Sequence, residues 1–185
     1  MRGELIGCIF HLNPAIHRKM TDGWDCVNPV KCEEGDFQIV LHEFLRPGQE
    51  PITGRETYIR GRKAGARAGL FHAEAVLRDC DKIPPIYRYN YLIFPEAWRC
   101  PDGYWKMFGL HWRYGCWQLR YNWFGPGFAS NGRVVRVVKY KKILAGDWVP
   151  GQKYIEPIIT GKQNIPNDWR PGSDSENKFQ KALRS

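Results

Sequence analysis

Apolar and polar residues alternate along several stretches of this chain, and a period of two residues is typical of β-strands with one buried face. The alternation is clearest in two runs, whose apolar positions are Tyr87, Tyr89, Tyr91 and Ile93 in the first and Trp117, Leu119, Tyr121 and Trp123 in the second. Turn-forming residues separate these runs from two further extended segments, 104–114 and 133–142. The short connections predict an antiparallel meander of four strands between residues 86 and 143.

Two more strands and one main helix are predicted in the first half of the chain. Residues 4–12 and 37–45 have the composition and alternation of strands. Residues 64–78 have a narrow apolar stripe that includes Leu70 and Leu77, which favours an amphipathic helix. Three glycines spaced by four residues weaken the beginning of this helix, and a Pro-Pro pair after it prevents its continuation.

These elements predict a β-rich α+β fold. The meander packs with the N-terminal strand pair and one main helix, and the sheet could curl toward a barrel. We expect a single domain over residues 1–170 and an irregular C-terminal tail. Residues 171–185 form either a flexible tail or a short helix, because Ser173 and Glu176 have the spacing of a capping box.

Composition places the chain among globular proteins that act in a reducing compartment. The chain has 185 residues, of which 43% are hydrophobic and 25% charged, and this balance favours a folded core. No apolar run approaches the length of a membrane span, and the N-terminus lacks the pattern of a signal peptide. The six cysteines include no Cys-x-x-Cys pair. We therefore expect a cytoplasmic protein with reduced thiols and no membrane partner.

The positive charge of the chain is concentrated in two short segments. The formal net charge is +9, from 28 basic and 19 acidic residues. One segment, 55–67, has five basic residues and one acid, and the other, 133–142, has five basic residues and no acid. The rest of the chain is balanced. A concentrated positive charge favours an anionic partner such as nucleic acid or an acidic protein surface.

Basic side chains in these segments, with two arginines of the meander, are the candidate binding residues. Arginine binds phosphate oxygens with two parallel hydrogen bonds, and the neighbouring glycines let the backbone approach closely. The candidates are Arg55, Arg60, Arg62, Lys63, Arg67, Arg88, Arg120, Arg133, Arg136 and Lys139. The sequence leaves open whether the two segments share one face of the protein. An alternative role for the second segment is a basic edge strand that prevents aggregation of sheets.

The aromatic residues allow two interpretations. Twenty-six of the 185 residues are Phe, Trp or Tyr, and platforms of such side chains stack unpaired bases in some nucleic-acid-binding sheets. A continuous apolar face is more often the core of the protein. We therefore expect the aromatic face of the meander to be buried and its polar face to be exposed, with Arg88, Asn90, Gln118, Arg120 and Asn122 on that polar face.

Metal binding and nucleophilic catalysis are weaker hypotheses. Residues 8–42 contain several ligand types, but the closest pairs, Cys26 with Cys32 and His11 with His17, have five residues between them, which is longer than in tight zinc sites. A hydrolase could use Cys26 with His42 and a nearby acid. Such a cysteine usually lies at a helix N-terminus, which lowers the pKa of its thiol, but the residues after Cys26 do not have the pattern of one. We therefore expect no metal and no catalytic residue.

The chain also lacks the short motifs of common enzyme classes. It has no dinucleotide-binding glycine pattern, no phosphate loop with Gly-Lys-Ser or Gly-Lys-Thr, no His-Glu-x-x-His and no Gly-x-Ser-x-Gly. The leading hypothesis is a non-enzymatic protein that binds nucleic acid or a nucleoprotein, without a cofactor. The alternatives are an inhibitor or adaptor that docks its basic patch on an acidic face of a nucleic-acid-handling machine, and a Cys/His hydrolase. Oligomeric state and the choice between DNA and RNA stay open.

Overall fold

The computed structural model describes residues 3–16, 21–125, 127–129 and 131–140. These residues belong to one compact unit, Met1–Tyr140. The predicted end of the domain at residue 170 and the predicted capping box at Ser173 lie outside the described residues.

The described residues form a seven-stranded, mostly antiparallel sheet with two α-helices. The strands are β1 (Gly3–Leu12), β2 (Asp25–Cys26), β3 (Gly35–His42), β4 (Tyr91–Arg99), β5 (Trp105–Arg113), β6 (Cys116–Trp123) and β7 (Gly132–Lys139). Their spatial order is β1-β3-β7-β4-β5-β6, and the short β2 pairs with the end of β4. The fold is therefore β-rich, as predicted, and β1, β3, β5, β6 and β7 overlap closely with predicted strand segments.

The predicted four-strand meander is correct for β4, β5 and β6 and wrong for β7. Instead of pairing with β6, β7 returns across the sheet and pairs in parallel with β4 and antiparallel with β3. The segment between β6 and β7 ends at Asn131, whose carbonyl accepts a hydrogen bond from the Tyr91 amide. This bond holds the start of β7 beside β4. This pairing joins the N-terminal strands to the meander. Because β1 and β6 stay at opposite edges, the sheet is open and does not close into a barrel.

The beginning of β4 also differs from the prediction. Pro85–Tyr89 is a 3-10 helix, and the strand starts only at Tyr91. Proline at the first helical position has the required φ and no amide hydrogen to satisfy, so the Pro-Pro pair begins this turn. Tyr87 and Tyr89 therefore do not share a strand face with Ile93, and Arg88 is not a strand residue.

Two α-helices take the place of the single predicted helix. They are α1 (Gly54–Lys63) and α2 (Leu70–Arg78). Thr53 caps α1 by accepting a hydrogen bond from the Glu56 amide at 3.2 Å. Gly65, with a φ of +76°, ends that helix, so two of the glycines that weakened the prediction, Gly65 and Gly69, lie between the helices, while Gly61 lies within α1. Neither helix of the described residues is long and apolar enough to cross a membrane.

The two helices cover opposite faces of the sheet. We call the face with Ile39, Leu92, Leu110 and Val135 the core face, because these side chains form the main hydrophobic cluster with α2. On the other face, α1 lies close to β4 and β7 at Gly61, where an added Cβ atom would be only 2.9 Å from Val134. The central strands are consequently buried on both faces, as Val134 and Val135 of β7 show.

Candidate nucleic-acid interface

Strand alternation divides the basic residues of β7 between the two faces of the sheet. Arg133 and Lys139 pair with Leu92 and Phe37, which belong to the core face, whereas Arg136 lies on the opposite face. We call this opposite face, together with α1, the basic face. Its cationic residues are Arg55, Arg60, Arg62 and Lys63 on α1 and Arg113, Arg120 and Arg136 on the strands.

Carboxylates are scarce on the basic face. Among the described residues of the six long strands, Asp36 is the one acid on this side, and its Oδ1 is 2.8 Å from Nδ1 of His11. Helix α1 contributes Glu56, which accepts a hydrogen bond from Nε of Arg60 at 2.9 Å. Both carboxylates thus already have a neighbouring partner, His11 for Asp36 and Arg60 for Glu56, and the other basic side chains make this face positively charged.

Four of the candidate arginines have no carboxylate within 4 Å in the part of the chain that the structure describes; they are Arg62, Arg67, Arg120 and Arg136. Arg67 is exposed just beyond the end of α1, beside Arg62. Burial lowers the pKa of the Arg62 guanidinium, and the charge of Arg67 lowers it further. A guanidinium stays protonated under such conditions, so these side chains carry uncompensated positive charge.

The other candidates are held by partners within the protein. Arg60 also donates to the Phe44 carbonyl at 2.8 Å and so fastens α1 to the chain after β3. On the core side, Arg133 forms an ion pair with Glu43 at 3.3 Å, and Lys139 forms one with Glu33. The Arg88 guanidinium lies over the Trp112 ring, 4.1 Å from its centre. The predicted set therefore does not form one surface.

A cluster of polar and aromatic side chains surrounds Arg120 on the basic face. The Tyr91 ring lies across Gly109, where an added Cβ atom would be 2.6 Å from the ring, and Asn122 donates a hydrogen bond to the Tyr91 hydroxyl. Burial raises the pKa of Tyr91 to about 12, so its hydroxyl is protonated at neutral pH. The pKa of His111 is lowered by burial and by the charge of Arg120. At neutral pH the cluster thus contains neutral hydrogen-bonding groups beside a cation.

The aromatic face of β6 is only partly buried. Trp117 is 5% exposed, as the sequence pattern predicts, but Tyr121 and Trp123 are 48% and 49% exposed. Both lie on the core face by strand alternation, and the Nζ atom of Lys106 lies 4.4 Å from the centre of the Tyr121 ring. The cation–π contacts of Lys106 stabilise this end of the sheet. Lys106 was missed from the sequence, although a lysine at an apolar position of an alternating strand indicates such a buried role.

The structure does not bring together the residues of the alternative hydrolase hypothesis. Cys26 lies in β2 beside Trp98, whereas His42 pairs with Val134 near the other end of β4. His17 lies outside the described residues, and no group of three or more His, Cys, Asp or Glu side chains among the described residues could hold a metal ion. Cys32 instead has His72 nearby, with Sγ 3.8 Å from Nδ1.

Cys26 and Cys32 are expected to react with iodoacetamide at pH 8 at least tenfold more slowly than the exposed Cys116. Burial, and secondly the charge of Glu96, raise the pKa of both thiols from 9.0 to about 12. The thiolate is the reactive species, so this shift slows alkylation. Timed alkylation followed by peptide mass spectrometry measures the three rates, and unfolding in urea should make them equal. Equal rates in the folded protein would contradict the assigned environment.

No protein-family model, curated protein or solved structure matches the chain. Its function is therefore inferred from the chemistry of its own residues. Two features of the described residues indicate the same kind of ligand. The arginines without a carboxylate partner and the polar cluster around Arg120 both favour an anionic ligand that forms hydrogen bonds.

Proposed function

We propose that the protein binds nucleic acid through the basic face. The observation that carries the proposal is the set of arginines on and beside this face that have no carboxylate partner among the described residues, with Arg120 and Arg136 on the sheet and Arg62 and Arg67 at the end of α1. Phosphate oxygens provide the charge and the acceptors that these groups lack.

The surroundings of the arginines suit a phosphate backbone. Gln118 and Asn122 lie on the same side of β6 as Arg120, and amide groups add hydrogen bonds to phosphate, sugar or base edges. Arg67 and Arg120 are exposed and can contact a backbone that runs along the sheet. The first two amides of α1 donate to the carbonyls of Phe124 and Gly125, so the N-terminus of this helix takes no part in anion binding.

Replacement of three arginines on and beside the basic face by glutamine is expected to weaken nucleic-acid binding by about 10- to 100-fold at 0.1 M salt. The variant combines Arg67→Gln, Arg120→Gln and Arg136→Gln. Loss of three phosphate contacts also makes the slope of log K against log salt less negative, by about 2 for single strands and about 3 for duplexes. Fluorescence anisotropy with labelled DNA and RNA, after removal of co-purified nucleic acid, measures both quantities.

The chain provides a matched control for this experiment. Arg88→Gln, Arg133→Gln and Lys139→Gln remove the same charge from the other side of the sheet, where these residues already have partners. We expect this variant to bind nearly as well as the wild type. Equal losses in both variants would mean that only the net charge matters. Absence of salt-dependent binding to any nucleic acid would reject the proposal and favour a docking role on an acidic protein.

A further inference from the structure

A hollow of about 430 Å³ opens on the basic face beside the polar cluster. On the basic side of the strands it is lined by Tyr91 and Asn122, and in and after the β6–β7 connection by Phe128, Asn131 and Gly132. Among the residues that the structure describes, no carboxylate lines it. Its volume is within the range of pockets that hold small organic ligands, which is about 300–1,000 Å³. The hollow therefore has room for a nucleobase with its sugar.

Tyr91 and Asn122 present a donor and an acceptor side by side in this hollow. Asn122 uses its amide nitrogen to donate to the Tyr91 hydroxyl oxygen, and its Oδ1 has no hydrogen-bond partner among the described residues. The Tyr91 hydroxyl, being an acceptor in that bond, has its own hydrogen available. An adjacent donor and acceptor match the edge of a nucleobase, as asparagine and glutamine amides do when they bind adenine.

Phe128 gives the hollow an aromatic wall. Its ring centre is 6.1 Å from that of Tyr91 and 6.5 Å from that of Phe44, so the ring is held in place by two aromatic neighbours. The side chain is still partly exposed. A fixed, partly exposed ring is a stacking surface for a planar base.

Arg120 places positive charge beside the hollow. It neighbours Asn122 on the same face of β6, and its charge acts on both Tyr91 and His111. The hollow thus joins an aromatic wall, a donor–acceptor pair and a cation. A nucleotide has the complementary parts, which are a planar ring, a polar edge and a phosphate.

We infer that the hollow holds one unpaired base of a bound single strand, with Tyr91 and Asn122 contacting its polar edge, Phe128 stacking on its ring and Arg120 beside its phosphate. The inference rests on the proposed function and makes it more specific. A base in a duplex has its pairing edge occupied and its faces stacked, so it cannot enter the hollow. The protein should accordingly prefer single strands and distinguish among bases.

The test compares wild type with Tyr91→Phe and Asn122→Ala. Tyr91→Phe removes only the hydroxyl and keeps the ring over Gly109, so the fold is preserved. Anisotropy titrations use labelled 12-nucleotide single strands of each base and one mixed-sequence duplex at constant salt. We expect the wild type to prefer one base at least fivefold. Both variants should lose that preference, and Tyr91→Phe should keep its affinity for the duplex.

Tyr87→Phe is the matched control. Tyr87 donates its hydroxyl to Glu4 on the other side of the sheet, so the same atom is removed away from the hollow, and binding should be unchanged. Salt-dependent binding without a base preference, or a preference that both variants retain, overturns the inference and leaves the proposed function standing. Absence of binding to every oligonucleotide overturns the proposed function and the inference together.

Discussion

Replacement of Glu96 by alanine is expected to lower the free energy of unfolding by about 3–5 kcal/mol. The Glu96 side chain lies in the interior, at 2% exposure for the residue, and accepts three hydrogen bonds. The donors are the amides of Val30 at 2.8 Å and Leu70 at 2.9 Å and the indole nitrogen of Trp98 at 2.9 Å. Alanine leaves these three donors without an acceptor, and each buried unsatisfied group costs about 1–3 kcal/mol.

Glu96 connects three parts of the fold, so its replacement is expected to destabilise all three together. Leu70 is the first residue of α2, so the carboxylate caps that helix from β4 and also interacts favourably with its dipole. Val30 belongs to the segment between β2 and β3, and the carboxylate therefore ties three parts of the chain together. A domain of this size has a total stability of about 5–15 kcal/mol, so the variant is expected to lose a large fraction of it.

Urea denaturation followed by tryptophan fluorescence and circular dichroism measures this effect. Glu96→Gln keeps the shape and one acceptor oxygen, and its loss of stability should fall between those of wild type and Glu96→Ala. Glu33→Ala is the surface control, since the Glu33 carboxylate pairs with Lys31 and Lys139 in solvent. If the alanine variants of Glu96 and Glu33 had the same stability, the capping role assigned to Glu96 would be wrong.

The strands were predictable because their alternation is a local property of the chain. The predicted segments 4–12, 104–114 and 133–142 overlap closely with β1, β5 and β7. The parallel pairing of β4 with β7 could not be predicted, since it joins residues about forty positions apart and depends on how the β6–β7 connection folds back. Periodicity also failed at Tyr87 and Tyr89, where alternating aromatic residues occur in a 3-10 turn.

The candidate interface was only partly predictable for a related reason. The alternation of β7 already separates Arg136 from Arg133 and Lys139 in the sequence. It does not say which side faces α2, because Val134 and Val135 are both fully buried. The division of the ten basic candidates between the faces became evident only with the two helices in place. Glu96 was overlooked, although an acid between Phe94–Pro95 and Ala97–Trp98 is itself a sign of a buried carboxylate with partners.

Acidification from pH 7 to pH 4 is expected to destabilise the folded protein by about 3–6 kcal/mol through His42 and His72. Burial lowers the pKa of both imidazoles from 6.5 to about 4, and the charge of Arg136 contributes at His42. Between pH 6.5 and 4 the unfolded chain therefore binds protons that the folded protein does not. Stability is greatest above pH 6.5 and is lost as the pH falls toward 4.

Single histidine variants separate the two contributions. Neither ring nitrogen of His42 has a hydrogen-bond partner in the described part of the chain, so His42→Leu keeps the packing and should remove about half of the loss between pH 7 and pH 4. His72 accepts a bond from the Gly69 amide at 3.3 Å, so its replacement also costs stability at pH 7. Urea denaturation across this range, with NMR titration of the imidazole protons, measures both effects.

The pH window distinguishes the histidines from the carboxylates. Hydrogen bonds from Lys139 and Lys31 lower the pKa of Glu33 to about 2, so protonation of this group weakens the fold only below about pH 4.5. The pKa of His111 is also lowered, which adds a smaller loss in the same direction as the two buried histidines. A stability that is constant between pH 7 and pH 4.5, or a His42→Leu variant with the wild-type slope, would show that these imidazoles are not buried in neutral form.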